Sequence, residues 1–466
     1  MKKHLLEQSI ILYSVTKWLI IATVIGVTIG FIVTFFVNLL QYTEDSRKLL
    51  GFKYYYLLPF ALVFTVWFTK TFAPNAKGHG TEKVIEAVHK RNGKIDVLVI
   101  PVKLIATVIT IFSGGSVGKE GPAAQIGAGA ASFIADLLRF SKENRKKIVI
   151  CGISAGFASV FGTPISGAIF GVEVLIVGII MYDVLLPSFI AGFAAFTTAR
   201  FLGLDYTYFD MRFSQAIPLE LTLIGEVILA GIFFGLISDF FITFMKKSEQ
   251  VIKNIPLNTY LKAFLGGSIL IGLSFIFGDE YFGLGIDTVD DSFFSDPNIS
   301  NDIPWYAFIL KTIFTSITLG AGGSGGVLTP IFFVGATSGN FFGSLMGEHI
   351  AFFAAIGFVS VLAGAANAPI AATIMAVELF GLEIAPYAAL SVVISFLITG
   401  HRSIFPSQIL KMKKSEMLDI STGEDIDHTS ISLREKDKQR FIKLKLKLKA
   451  KKRLDRKKLK DKKTEL

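Results

Sequence analysis

The chain has 466 residues, of which 52% are hydrophobic and 18% charged, with a mean hydropathy of +0.58. Soluble domains rarely reach such an average, so the composition excludes an ordinary soluble globular protein and points to a polytopic membrane protein. The net charge of +10 belongs to the tail: residues 434–466 hold 17 Lys/Arg against 5 Asp/Glu, whereas 1–410 is near neutral, and the single Cys151 excludes an intrachain disulfide framework or a cysteine-rich metal site.

In chain order, residues 18–40 run "WLIIATVIGVTIGFIVTFFVNLL", 23 residues without a formal charge, enough to span a bilayer with some tilt. The run is too long for a cleaved signal peptide and no small-residue cleavage site follows it. Basic residues collect at Lys2 and Lys3, "HKRNGK" (89–94), "RFSKENRKK" (139–147), "KKSEQVIKN" (246–254) and the tail. The positive-inside rule puts all of these in the cytoplasm, with both termini, for a multi-pass protein of the plasma or inner membrane.

Residues 95–138 must then enter the membrane and return, roughly 22 residues per pass, with "GGSVGKEG" (114–121) near the midpoint. This is not a phosphate-binding loop, because the spacing is wrong and Glu120 follows Lys119. The loop belongs either at the outer surface or inside the membrane, packed in protein or lining a cavity. Residues 279–302 carry seven acids and no Lys or Arg; they read as a solvated outer loop whose spacing fits no EF-hand.

An internal repeat follows. Residues 103–128, "KLIATVITIFSGGSVGKEGPAAQIGA", match 311–336, "KTIFTSITLGAGGSGGVLTPIFFVGA", at an offset of 208. "PISGAIFGVE" (164–173) matches "PIAATIMAVE" (369–378) at an offset of 205. The chain therefore reads as two transmembrane repeats, 1–215 and 216–410, followed by a basic cytoplasmic tail, 411–466. The tail reads as a solvated segment, with attraction to anionic lipid headgroups as the sharper alternative and nucleic acid as an unfavoured third. Matched glycine- and proline-broken helices point to a transport site at the repeat interface.

Pro122 and Pro330 suit first turns of helices that begin inside the membrane. Such helix starts present free N–H groups and about half a positive charge, so two of them meeting near the midplane make an anion site without a cationic side chain. Glu120 then acts as a tethered competitor at the anion position; a structural pairing with Lys103 or Lys119 is the competing reading. Glu173 and Glu378, which close the second pair of repeat blocks, read as structural, bonding backbone at broken helix ends.

These motifs resemble those of the CLC chloride channel and proton/chloride exchanger family. "GKEGP" (118–122) has the form of its glutamate-gate motif, and "GGVLTP" (325–330) is similar to its second-half motif, with Leu328 in place of Phe. "KGHGTEKVIEAV" (77–88) resembles the first motif and "RSIFPSQIL" (402–410) the last helix. The resemblance covers about 1–410. It implies an all-α polytopic membrane fold of two inverted-topology repeats with broken and re-entrant helices, and a homodimer with one pathway per subunit; the 56 polar residues of 411–466 offer no candidate for the paired cytoplasmic CBS domains seen in many relatives.

Carried over by position, the resemblance implies a central anion on the backbone N–H groups of Val327 and Leu328, beside Thr329. It implies an outer site at Gly118, Lys119, Glu120 and Gly121, where Glu120 gates and exchanges protons. The family's Ser hydroxyl falls at His79, next to Gly80, and its Tyr hydroxyl at Phe405; Glu82 stands where Pro is frequent. The position of a second, proton-relaying glutamate is Val174. The expectation is glutamate-gated, channel-like chloride transport, with proton/chloride antiport as the alternative and fluoride export less favoured because "GKEGP" is kept. No cofactor beyond the transported chloride is expected, and no metal, since His79 has no partner at ligand spacing. An intramembrane hydrolase is disfavoured, because no G-x-S-x-G or H-E-x-x-H context is present.

Overall fold

The computed structural model describes residues 2–47, 49–206, 220–293, 303–347, 349–434 and 436–438. The first half runs α1 (Lys2–Arg47), α2 (Leu58–Phe72), α3 (Gly80–Lys90), α4 (Val99–Phe112), α5 (Glu120–Leu137), α6 (Lys142–Phe161), α7 (Pro164–Glu173), β1 (Ile176–Val177) and α8 (Tyr182–Phe201). The second runs α9 (Leu221–Asn254), α10 (Thr259–Phe277), α11 (Ile286–Phe293), α12 (Ala307–Gly320), α13 (Leu328–Met346), α14 (Ile350–Ala366), α15 (Pro369–Phe380) and α16 (Ala385–Ile398). Three short strands follow: β2 (Ile409–Leu410), β3 (Leu418–Ile420) and β4 (Ile431–Leu433).

The fold is all-α in its membrane body. Among the described residues five helices are long and apolar enough to cross a bilayer: α1, the segment ending in α2, α8, α9 and α10. Others are too short. α4 and α12 have 14 residues each, about 21 Å of helix against a hydrocarbon core of about 30 Å. They stop part-way, so the loops that follow lie within the protein, where side chains and backbone must satisfy their polar groups.

The two halves bond to each other through residues that the sequence repeat equates. Ser116 N–H donates to Thr318 Oγ1 at 3.2 Å and Ser324 N–H to Thr110 Oγ1 at 3.1 Å. Thr107 pairs with Ser324 at 3.2 Å, and Ser116 with Thr315 at 3.1 Å. Each bond has its counterpart at the offset of 208, as an internal two-fold relation between the repeats requires. At the offset of 205, Glu173 accepts from the N–H groups of Ile370 (3.0 Å) and Ala371 (2.8 Å), while Glu378 accepts from Ile165 (3.0 Å) and Ser166 (2.7 Å). Each acid caps the start of the other half's broken helix, where orphan N–H groups and the helix dipole favour a carboxylate. The structural reading of both acids therefore matches the geometry. Packing is repeated as well: a Cβ on Gly127 would lie 2.5 Å from Gly152 O, and one on Gly335 2.5 Å from Gly357 O, so α5 meets α6, and α13 meets α14, at glycine-only separation.

Lys103 and Lys311 are both fully buried. Lys103 Nζ donates to Ala76 O (3.2 Å) and Gly78 O (2.5 Å); Lys311 Nζ donates to Tyr281 O (3.2 Å) and Gly283 O (3.0 Å). Each ammonium holds the loop that leads into a short helix, α3 or α11. A third repeat block thereby becomes visible, "GHGTEKV" (78–84) against "GLGIDTV" (283–289), at the offset of 205.

Two expectations need correction. Residues 279–302 are not simply a solvated loop: Tyr281, Phe282, Leu284, Val289 and Phe293 are buried, and α11 packs against α13 and α14. On α11 itself Val289, Ser292 and Phe293 are buried while Asp287, Asp290 and Asp291 are left more exposed; 294–302 lie outside the described residues. The beginning of the 411–466 segment is likewise docked rather than solvated. β1 and β2 pair in parallel, β3 and β4 antiparallel, and Lys90–Asp425 (3.0 Å) and Lys246–Asp427 (2.8 Å) tie 425–427 to α3 and α9. Its basic run from 439 onward, like the 215/216 boundary between repeats, falls outside the described residues.

Candidate anion site

The site begins with two glycines. Gly118 N–H donates to Gly326 O at 2.7 Å and Gly326 N–H to Gly118 O at 2.6 Å, a two-bond bridge between residues equated by the repeat. It places the starts of α5 and α13 face to face. The first N–H groups of a helix have no carbonyl within the helix to bond, so donors from both halves converge at one buried place. Lys119 (6% exposed) and Val327 (1% exposed) precede the two helices, and Leu328 and Thr329 open the second.

Glu120 is the first residue of α5 and is 3% exposed. A helical side chain leans toward its own N-terminus, which carries this carboxylate beyond α5 and onto α13. Its Oε2 accepts from Thr329 N–H at 3.1 Å, and Thr329 Oγ1 donates to Oε2 at 2.6 Å and to Oε1 at 2.7 Å. The sequence had assigned the competing position to N–H groups around Glu120 and Gly121. The carboxylate takes donors from the other half as well, because the glycine bridge sets that helix start directly opposite. Lys103, a candidate partner for Glu120, is occupied by backbone carbonyls.

A third helix start joins the first two. His79 is the N-cap residue of α3. A Cβ on Gly80 would clash with Gly121 O, and one on Gly121 would lie 3.0 Å from Gly326 Cα and 3.5 Å from Gly80 N. The starts of α3, α5 and α13 thus meet within a few ångströms. The His79 ring lies 5.9 Å from the Phe405 ring, tilted by 52°, and its Nδ1 is buried without a hydrogen-bond partner among the described residues. Phe405 is fully buried, its N–H donating to Ser403 Oγ at 3.0 Å. Val174 is also fully buried at the end of α7, and its carbonyl accepts from Gln408 Nε2 at 2.8 Å.

The structure therefore brings Gly118, Lys119, Glu120, Gly121, Val327, Leu328, Thr329, Gly80, His79 and Phe405 to one region, while Val174 stands apart behind Gln408. Among the described residues no three His, Cys, Asp or Glu side chains converge as a metal-ligand set. Sequence reasoning missed Ser407, whose N–H and O–H both bond Glu82, and Gln408, which ties 402–410 to Val174 O and Ala366 O.

Residues 60–400 match the family described as "Voltage gated chloride channel". The chain belongs to the CLC family. It is 35% identical over 409 residues to a "Chloride/fluoride channel protein" of Pseudomonas syringae pv. tomato, covering 86% of this chain and 88% of that one. Among solved structures it is similar to a "CLC-type fluoride/proton antiporter", with a TM-score of 0.80, 27% identity, and 86% and 99% of the two chains covered. A "slow cyanobacterial Cl-/H+ antiporter" shares the fold, with a TM-score of 0.70 at 20% identity over 82% and 94% of the chains. The protein is thus a membrane transport protein of the CLC type, with the inverted-repeat fold that its motifs led us to expect.

The glycine bridge yields a test of the CLC site. A Cβ on Gly118 would lie 2.5 Å from Glu120 Oε2 and 2.6 Å from Thr329 Oγ1. Gly118→Ala is expected to cut anion efflux from vesicles by about tenfold or more while the protein stays monodisperse, since the methyl fills the space where an anion would meet the α13 donors. Unchanged efflux would move the pathway elsewhere.

Proposed function

We propose that this chain moves chloride across a cell membrane by a channel-like, uncoupled route gated by Glu120. The observation that carries the reading is the Glu120 carboxylate on the start of α13, held by Thr329 N–H and Oγ1. A helix N-terminus that accepts a tethered carboxylate also accepts a free anion of similar charge. In this reading the carboxylate blocks the outer site at Gly118, Lys119 and Gly121. An anion that displaces it passes to the N–H groups of Val327 and Leu328, then past Gly80, His79 and Phe405. Donors made of backbone dipoles bind weakly enough to release. The apolar Val174 supports conduction without proton coupling. The transport unit is the pair of repeats, divided at 215/216, working as a homodimer with both termini cytoplasmic, where the basic segments collect. No covalent step and no cofactor enter the reading, and anionic lipid is the partner of the basic tail.

A second reading, proton-coupled fluoride export, is favoured by the Thr329 hydroxyl, a strong donor suited to a small, hard anion, and by the two relatives whose names include fluoride. Purified protein in vesicles loaded in turn with potassium chloride and potassium fluoride, with potassium ionophore added, separates the two. Chloride efflux faster than fluoride supports the first reading. Fluoride efflux faster by about tenfold or more replaces it with the second.

A further inference from the structure

Glu82 is the third residue of α3, one turn after His79. An acid at that position ordinarily turns back to cap its own helix. This one reaches across to the 402–410 segment. Its carboxylate accepts from Ser407 N–H at 3.1 Å and 3.3 Å and from Ser407 O–H as well. Ser407 is two residues beyond Phe405, whose ring faces His79 at 5.9 Å. His79 and Glu82 stand three apart on one helix, and Phe405 and Ser407 two apart on one loop. Two cross-links therefore join the same two pieces of chain: the facing rings and the carboxylate clamp.

The start of this loop is anchored by Arg402, which pairs with Asp239 at 2.5 Å; around Phe405 the bonds are uncharged, Ile404 N–H to Ala365 O (2.9 Å) and Gln408 N–H to Phe405 O (3.2 Å) among them. Lys83, which follows Glu82, is paired with Glu86 at 2.9 Å rather than with Glu82. The Glu82 carboxylate is thus committed to the loop, and a charge-assisted bond is about twice as strong as a neutral one.

The geometry points to Glu82 as a positioning residue for anion selectivity: through Ser407 it holds Phe405 against His79 and so fixes the width of the inner constriction. The inference rests on the proposed passage of anions between His79 and Phe405. With the clamp cut, the Phe405 segment is free to move back, and anions larger than chloride pass more readily.

The test is efflux of thiocyanate relative to chloride from vesicles holding the full-length protein. Glu82→Ala is expected to raise the thiocyanate-to-chloride ratio by about fivefold, while Glu82→Gln, which keeps an acceptor for Ser407 N–H, stays within about twofold of wild type. In a Phe405→Ala background Glu82→Ala should change the ratio no further, because its effect acts through that ring. A change that merely loosened the fold would still add in that background. A wild-type ratio in a monodisperse Glu82→Ala protein would overturn the inference, as would an additive effect on Phe405→Ala. If wild-type protein shows no anion efflux sensitive to Glu120→Gln, the pathway reading itself falls and the inference with it, a result distinct from either of these.

Discussion

Glu120→Gln is expected to raise anion efflux and to remove its dependence on pH. In the wild type the carboxylate accepts from both donors of Thr329, N–H and O–H. Hydrogen bonds to a charged acceptor contribute about 1.5–3 kcal/mol each. An amide has the same shape and can still accept from both Thr329 donors at the Oε2 position, but it carries no charge. Weakening these two bonds from charge-assisted to neutral strength, ~1 kcal/mol each, shifts the blocked-to-open ratio by about 30-fold. Acid does the same to the wild-type carboxyl by removing its charge. Wild-type efflux should therefore rise as pH falls, whereas Glu120→Gln should be high and flat between about pH 4 and pH 8. Efflux in the mutant that follows pH as steeply as in the wild type would remove Glu120 from the gate.

That partner choice shows where the sequence was legible and where it was not. "GKEGP" and "GGVLTP" were readable as two facing helix starts, and Glu120 as the acid between them, because glycine, proline and an intramembrane carboxylate each carry a local physical reason. Which start receives the carboxylate depends on the Gly118–Gly326 bridge, a contact between residues 208 apart that neither motif contains. The repeat was legible where apolar and glycine matches were dense. It was missed at 78–84 against 283–289, where only two glycines, an acid and a valine coincide, and the equivalence emerges from the parallel roles of Lys103 and Lys311. α11 was hidden by its charge: counting seven acids over 279–302 obscured the inward face of Val289, Ser292 and Phe293. The two-residue pairing of β1 with β2 has no local signal at all, since its partners are 233 apart in sequence (Ile176 and Ile409). Glu82 was noticed only as an odd residue in a motif; its meaning lay in Ser407, which sits inside the 402–410 motif with no role of its own there.

The last expected result concerns protons. A proton crossing from the cytoplasm needs titratable groups or water on the inner side. Val174, the position at which the resemblance implies a second glutamate, is apolar and fully buried. Its neighbour Glu173 is committed to the N–H groups of Ile370 and Ala371, and its repeat counterpart Glu378 to those of Ile165 and Ser166. Glu82 is committed to Ser407. Releasing any of these carboxylates for a relay would strand N–H groups that cost about 1–3 kcal/mol each when buried unpaired. Chloride movement is therefore expected to proceed without stoichiometric proton movement. Vesicles with a chloride gradient and no initial pH gradient decide it. In the uncoupled case protons move only passively, following the voltage set by chloride, so a lipophilic proton carrier enlarges the pH change. In an antiporter protons are driven uphill as chloride runs down, and the carrier abolishes the pH change. Uphill proton movement by the purified protein would overturn the uncoupled reading. It would require water to span the gap beside Val174, while leaving the glycine bridge and the Glu120 gate as described.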